Sequence, residues 1–232
     1  MLPMDKEKIP QLTVVIPAKN EALSIGHIIS LASKHASEII VIDGSSEDDT
    51  AKIARENGAI VFTDSGSGKG DAVRLGIKNA HGEIIVFIDA DGSHDARDIA
   101  RLVEPMLKDA SVDIVIASRG KGGSDELQGN IDKTMRLLGS VIINLAINIR
   151  WKQELTDAQN GYRAVRTEKI RLLDLREKIT TIEQEMVIKA LKKDFKIIEV
   201  PSHEYARTDG VSNIVLKKVW FRYVYSLIKY LF

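Results

Sequence analysis

The chain has no cysteine among its 232 residues, which excludes disulfides and thiolate metal sites alike. Nor does one sign of charge prevail: Lys and Arg together number 33, and so do Asp and Glu. Without a global basic field no nucleic-acid partner is expected. No stretch supplies the roughly 20 consecutive apolar residues of a membrane-crossing helix; Leu137 to Ile149 is uncharged but ends after 13 residues. The N-terminal extension, residues 1–11, is polar, carries Pro3 and Pro10, and lacks the apolar centre of a secretory signal, so a cytoplasmic location is the default expectation. What remains, 44% hydrophobic and 28% charged, suits one large domain with a substantial core.

Apolar, β-rich runs alternate with helical patterns through the first half. Leu12 to Pro17, Glu38 to Asp43, Ala59 to Phe62, Glu83 to Asp89 and Asp113 to Ser118 read as strands. Between them, Ile25 to His35, Asp48 to Asn57, Lys69 to Ala80 and Ile99 to Leu107 repeat apolar residues at helical spacing. Such alternation predicts an α/β fold with a mostly parallel, Rossmann-like sheet and helices on both faces. After Gly120 the pattern loosens, and the second half reads as an extension of the same domain that supplies an acceptor side.

Polar clusters fall on the strand ends, where open α/β sheets bind ligands. Asp89-Ala90-Asp91 closes the fourth run. On a strand, Asp89 and Asp91 would share a face while Ala90 points away, and two carboxylates that close ask for a cation. The same residues could instead do no more than cap the helix that follows, Asp91 and Ser93 serving its first turn. Pro17-Ala18-Lys19-Asn20-Glu21 and Asp43-Gly44-Ser45-Ser46-Glu47-Asp48-Asp49-Thr50 can accept from ribose hydroxyls or base N–H groups, or simply cap helices. Gly66-Ser67-Gly68-Lys69-Gly70 places an ammonium at a helix start, suited to a phosphate or to an ordinary turn. A P-loop is excluded, because Thr63 stands where its first glycine belongs and Gly70 where Ser or Thr follows the lysine. The dinucleotide fingerprint is excluded too, since Ala18 to Leu23 holds no glycine.

In order and spacing these motifs resemble family 2 glycosyltransferases of the GT-A fold, over roughly residues 12–213. Ala117-Ser118-Arg119, the run Asp157-Ala158-Gln159-Asn160-Gly161-Tyr162-Arg163 and the run Tyr205-Ala206-Arg207-Thr208-Asp209-Gly210-Val211-Ser212 bring the likeness nearest to the dolichyl-phosphate mannose synthase group of polyprenyl-phosphate hexosyltransferases. The resemblance implies a catalytic domain over 12–212, with a donor half (12–119) and an acceptor half (120–212), followed by an aromatic and basic helix over 213–232. It implies donor nucleotide-sugar contacts at Pro17, Ala18, Asn20, Glu21, Asp43, Ser45, Lys69, Asp89, Ala90, Asp91 and Arg207. Asp43 would meet the nucleoside, and Asp89 and Asp91 would hold Mg²⁺ or Mn²⁺ against the diphosphate. Catalytic roles fall to Asp91, Arg119, Asp157 and Arg207, and the acceptor phosphate to Arg119, Arg136, Ser140 and Asn144, with Arg163 a further cation within reach. Arg136 otherwise reads as a surface charge at the head of a packed apolar helix.

Three positions depart from the family pattern. Gly44 stands where relatives carry a second aspartate, which leaves GDP-mannose, UDP-glucose and UDP-N-acetylglucosamine all open as donors. Ser93 replaces a glutamine and is shorter, and Asp95 replaces a proline, altering only the local start of the next helix. Chemistry narrows the acceptor. A hydroxyl nucleophile needs a general base, whereas a phosphate monoester, with a second pKa of about 6, is already anionic at neutral pH. No Glu-Asp doublet lies between residues 150 and 190, so a dolichyl or polyprenyl phosphate acceptor and an inverted product are expected. A hydroxyl acceptor with Asp157 or Glu183 as base stays open, as does a metal-dependent phosphoryl enzyme or nuclease.

A lipid acceptor calls for a membrane surface. Trp220 to Phe232 holds six of the chain's 12 aromatic residues, with Lys217, Lys218, Arg222 and Lys229 beside them, a composition suited to lying in the headgroup region. Packing of this tail on the domain, or dimerisation through it, is the alternative. The expectation is a peripheral enzyme on the cytoplasmic face of a membrane, its oligomeric state open.

Overall fold

The computed structural model describes residues 11–125, 131–206 and 216–231. The first half alternates as expected: β1 (Leu12–Ala18), α1 (Ile25–Ala32), β2 (Glu38–Asp43), α2 (Thr50–Glu56), β3 (Ile60–Thr63), α3 (Lys69–Asn79), β4 (Ile84–Phe87), α4 (Ile99–Lys108) and β5 (Val112–Ser118). A short turn of helix, α5 (Arg119–Gly122), and a long one, α6 (Ile131–Trp151), lead into the second half. There β6 (Arg163–Arg166), α7 (Thr167–Arg171), α8 (Ile182–Leu191), β7 (Lys196–Pro201) and α9 (Leu216–Leu231) follow.

The strands form one seven-stranded sheet in the order β3-β2-β1-β4-β6-β5-β7. Only β6 runs antiparallel, pairing β4 on one side and β5 on the other. Because neighbouring residues of a strand face opposite sides, Val15 joins a core with α3, α6, α8 and α9, while Val14 and Ile16 join another with α1 and α4. Both faces are therefore buried, which is why the parallel strands read as continuous apolar runs.

Neither β6 nor β7 was expected from sequence. The four residues of β6 begin and end on arginines, so they carry neither an apolar run nor a clean alternation. Tertiary hydrogen bonds make the strand: Arg166 donates to the carbonyls of Val112 and Met106, and Arg163 is wholly buried. Reversing this one strand has a consequence for position. Its first residue, Arg163, pairs with Phe87 at the end of β4, so the loop 157–162 emerges at the same edge as the carboxyl ends of β1, β2, β4 and β5. The parallel strand β7 ends there as well, with Pro201 opposite Ser118.

Close helix packing sets the approach of α3 to β1. A Cβ on Gly76 would lie 2.4 Å from a methyl of Val15, whose branched side chain has little freedom to yield. Gly76→Ala is expected to lower stability by about 1–3 kcal/mol through overpacking, read as a fall in the urea midpoint with the slope unchanged.

Candidate active site

Two loops at the carboxyl edge are laced together. Asn20 accepts the Glu47 N–H at 2.8 Å and donates its own N–H to Ser46 Oγ at 2.9 Å. Glu21 N–H donates to Thr50 Oγ1 at 2.8 Å, and Ala22 N–H to Asp48 at 3.1 Å. Asn20 and Ser45 both turn through the left-handed region, at φ 57° and 58°, which lets the loops double back above the ends of β1 and β2. Gly44 N–H closes the floor by donating to the Ala18 carbonyl. Beneath them Asp43 is buried: its Oδ2 accepts from Ser46 N–H at 3.3 Å, while Oδ1 has no hydrogen-bond partner. A buried carboxylate oxygen left this way is costly unless a ligand hydroxyl or N–H reaches it.

Asp89 and Asp91 do not sit on a strand. The strand β4 ends at Phe87, so strand alternation does not orient them; both lie in the turn beyond it. Asp91 is buried and accepts from Ser93 N–H (3.0 Å) and Ser93 Oγ (2.7 Å), so Ser93 braces this carboxylate. Ser24 Oγ ties the turn to α1 through the Ala90 carbonyl. The helical turn that follows is capped by Asp95, which accepts from Arg97 N–H, and not by Asp91.

Lys69 points away from solvent and into the carboxylates. Its Nζ lies 2.6 and 2.9 Å from the two oxygens of Asp89 and 3.1 Å from Glu183 Oε1. Burial opposes its charge, but Asp89 and then Glu183 outweigh burial and raise its pKa well above the ordinary lysine value. The narrow cleft between Pro17, Phe87, Gly161 and Met186 is thus fronted by an ion trio. The expected phosphate contact from Lys69 is, in this structure, an internal one.

Arg119 and Asp157 are brought together as a bidentate pair, Nε to Oδ2 at 2.7 Å and Nη2 to Oδ1 at 2.9 Å, with Arg119 N–H adding a third bond. Glu204 takes Arg119 Nη1 at 3.1 Å. Burial works against this guanidinium too; Asp157 and Glu204 overcome it and hold the pKa above the usual range. Sequence reasoning missed Glu204, and Glu199 as well, whose carboxylate accepts the N–H groups of Thr156 and Asp157 at 2.8 Å. Both stand on or just after β7, a strand the pattern did not reveal.

Asn144 and Arg163 have structural work. The Asn144 amide donates to the Thr156 carbonyl (2.8 Å) and accepts from Ala158 N–H (3.0 Å), clamping the loop that carries Asp157 instead of facing an acceptor. Arg163 donates to the carbonyls of Asn160, Glu183 and Ala158, and burial lowers its pKa to about 10. It is a backbone tie, not a spare cation. Ser140 is half-buried on α6. Of Arg136 only its place in α6 is described, and Arg207 lies outside the described residues; Tyr205, two positions earlier, donates its N–H to Ser93 O at 2.8 Å.

His94 was not singled out from sequence, yet it is buried beside Tyr162, with Nδ1 lacking any hydrogen-bond partner. Burial lowers its pKa, against the pull of Asp89, Glu204 and Asp91.

Hard oxygen donors of the Asp89 and Asp91 kind fit Mg²⁺ or Mn²⁺. Among the described residues no group of three or more His, Cys, Asp or Glu gathers for a metal, so the protein's share would be two carboxylates, with diphosphate oxygens and water completing the shell.

Comparison with known proteins places this geometry. A model of the family described as Glycosyl transferase family 2 matches residues 13–173. The chain is 33% identical over 199 residues to glycosyltransferase AglJ of Haloferax volcanii, covering 85% of this chain and 64% of that relative's length. It is 28% identical to the UDP-N-acetylglucosamine–dolichyl-phosphate N-acetylglucosaminyltransferase of Methanococcus voltae, over 90% of this chain and 93% of that one. A crystal structure of glucosyl-3-phosphoglycerate synthase from Mycobacterium tuberculosis, in complex with Mn²⁺, UDP-glucose and phosphoglyceric acid, superposes with a TM-score of 0.78 at 22% identity. That superposition covers 96% of this chain and 80% of the other, and shows a shared GT-A fold.

Two outcomes follow from the buried charges. Arg119→Met leaves Asp157 and Glu204 unpaired and is expected to cost about 3–5 kcal/mol of stability, part of it restored in the double variant with Asp157→Asn, as urea unfolding would show. An unfolded histidine takes up a proton near 6.5, whereas buried His94 resists until lower pH, so the unfolded state binds more protons as pH falls through that value. Stability should therefore drop on acidification below 6.5, and His94→Asn should flatten that slope.

Proposed function

The chain belongs to glycosyl transferase family 2, and on that premise we propose that it transfers a hexose from a nucleotide sugar to a dolichyl or polyprenyl phosphate, with inversion, at the cytoplasmic face of a membrane. The observation that carries the lipid acceptor is a pair of apolar rows left in solvent. On α6, Leu137, Leu138, Val141, Ile142, Leu145 and Ile149 are exposed at helical spacing, although Ile143 and Ile147 of the same helix are buried. On the neighbouring α9, Phe221, Val224, Tyr225 and Ile228 are exposed while Leu227 and Tyr230 enter the core. Rows of exposed apolar side chains on two neighbouring helices suit a partner. The exposed charges that these helices carry over residues 137–151 and 221–231 are Arg150, Arg222 and Lys229, with no acid among them; Glu177 reaches Lys229 from outside the helices. That suits an anionic lipid surface, whereas pairing with a second copy would set like charge against like. No described helix is long and apolar enough to cross a membrane.

The carboxylates support an acceptor that needs no base. Asp157 has both oxygens engaged by Arg119, and Glu183 is paired with Lys69. A phosphate monoester arrives already ionised. When bound, the divalent cation that Asp89 and Asp91 hold neutralises charge on the leaving diphosphate. Asp43, with its open buried oxygen, takes the nucleoside, flanked by Pro17, Ala18, Asn20, Glu21 and Ser45. Asp91 and Asp157, with Arg119 and Arg207, form the catalytic set, and Arg119, Arg136, Ser140 and the Asn144-clamped loop face the acceptor. We place GDP-mannose first as donor; the relative from Methanococcus voltae makes UDP-N-acetylglucosamine the runner-up. One observation favours a second reading, a hydroxyl acceptor with Glu183 as base: Glu183 Oε2 is buried without a partner.

Asp91→Ala should abolish transfer and metal-dependent donor binding, while Arg136→Ala should spare donor binding and impair only use of the lipid phosphate. Thermal shifts with a panel of nucleotide sugars plus Mn²⁺ identify the donor; stabilisation by none would count against the assignment. Because α9 contributes to the core, the membrane face is tested by Ile142→Glu with Ile228→Glu and not by truncation. Loss of liposome flotation, with transfer to a short soluble prenyl phosphate retained, is expected. Undiminished flotation sinks the membrane face, and turnover of a sugar hydroxyl that Glu183→Gln abolishes would establish the second reading.

A further inference from the structure

We infer that Glu183 is a positioning residue for the carboxylate pair at Asp89 and Asp91: it is the second seat of the Lys69 ammonium, which passes from Asp89 to Glu183 when a divalent cation takes Asp89. The inference rests on the metal reading given above and adds to it a role for a residue on α8. Lys69 at present grips both oxygens of Asp89, at 2.6 and 2.9 Å. A divalent cation on that carboxylate would stand within a few ångströms of the ammonium, and two cations at such range in a partly buried cleft repel strongly. Lys69 must then yield or the cation cannot stay.

A second carboxylate stands next to Lys69. Glu183 Oε1 is already 3.1 Å from Lys69 Nζ, and Oε2 of the same carboxylate is buried with no hydrogen-bond partner. An ammonium that turns from Asp89 onto both oxygens of Glu183 keeps a counter-charge throughout and satisfies an orphaned acceptor. The backbone around Lys69 is held against residues 177–178, where Gly70 N–H donates to the Lys178 carbonyl at 2.9 Å, and a Cβ on Gly68 would lie 2.7 Å from that carbonyl. With the stem anchored there, a short swing of the ammonium from Asp89 to Glu183 is the move that keeps it on a counter-charge.

The test is Mn²⁺ binding by the full chain without donor, followed by electron paramagnetic resonance of the free ion. Lys69→Met removes the competitor and is expected to bind Mn²⁺ about tenfold more tightly, whereas Glu183→Gln, which strands the ammonium on Asp89, should bind about tenfold more weakly. A simple through-space loss of negative charge would also weaken binding in Glu183→Gln, so the deciding measurement is the double-mutant cycle. If Glu183 acts through Lys69, Glu183→Gln has little further effect in the Lys69→Met background. Additive effects, or no tightening in Lys69→Met, overturn the exchange. Asp91→Ala separates this from the parent reading: unchanged Mn²⁺ affinity there overturns the metal site itself, while lost affinity together with an additive cycle overturns the exchange alone.

Discussion

Carboxylates crowd one edge of the sheet, and each has to be compensated where it stands. Asp43, Asp91, Asp157, Glu183 and Glu204 are all buried there, where a charge without a partner is costly. Lys69 serves Asp89 and Glu183, Arg119 serves Asp157 and Glu204, and backbone N–H groups serve Asp91 and Glu199. The compensation is nearly complete, and the exceptions are the informative atoms. Asp43 Oδ1 and Glu183 Oε2 are acceptors awaiting a donor, one beneath the loops that follow β1 and β2 and one beside Lys69.

Charge compensation also explains which residues hold the site together. Arginine is expensive to bury, yet Arg163 is buried and bonds to three backbone carbonyls and the Met186 sulfur, so it fastens the 158–160 loop to α8. Asn144 and Glu199 clamp the neighbouring 156–158 backbone from the helix α6 and the strand β7. A side chain held to within a fraction of an ångström needs such supports. Here they come from elements far apart in the chain, which stiffens the loop more than any local turn could.

Much of the first half was legible because its physics is local. Strands buried on both faces leave uninterrupted apolar runs, and β1, β2, β3 and β5 lie within one residue of where those runs place them. Asp43, Lys69, Asp89 and Asp91 were readable as strand-end polar groups on the same grounds. By contrast β4 stops two residues short of Asp89, since Ser93 and Ser24 draw the Asp89–Asp91 segment into a turn. Nothing in a run of Ile and Val announces that. Glu199, Glu204 and His94 were illegible for a different reason: each matters through a partner more than 40 residues away or through burial alone.

The sequence by itself determined the fold class and the inventory of charged groups at the strand ends, because apolar periodicity and strand-end chemistry are written in neighbouring residues. Only the tertiary structure decided how those groups pair. The antiparallel insertion of β6 carries Asp157 to Arg119, and the pressing of the Gly68–Gly70 turn on residues 177–178 turns Lys69 onto Asp89 and Glu183. Pairing of this kind depends on distance in space and on a shared loss of water, and neither is a property of adjacent positions in a chain.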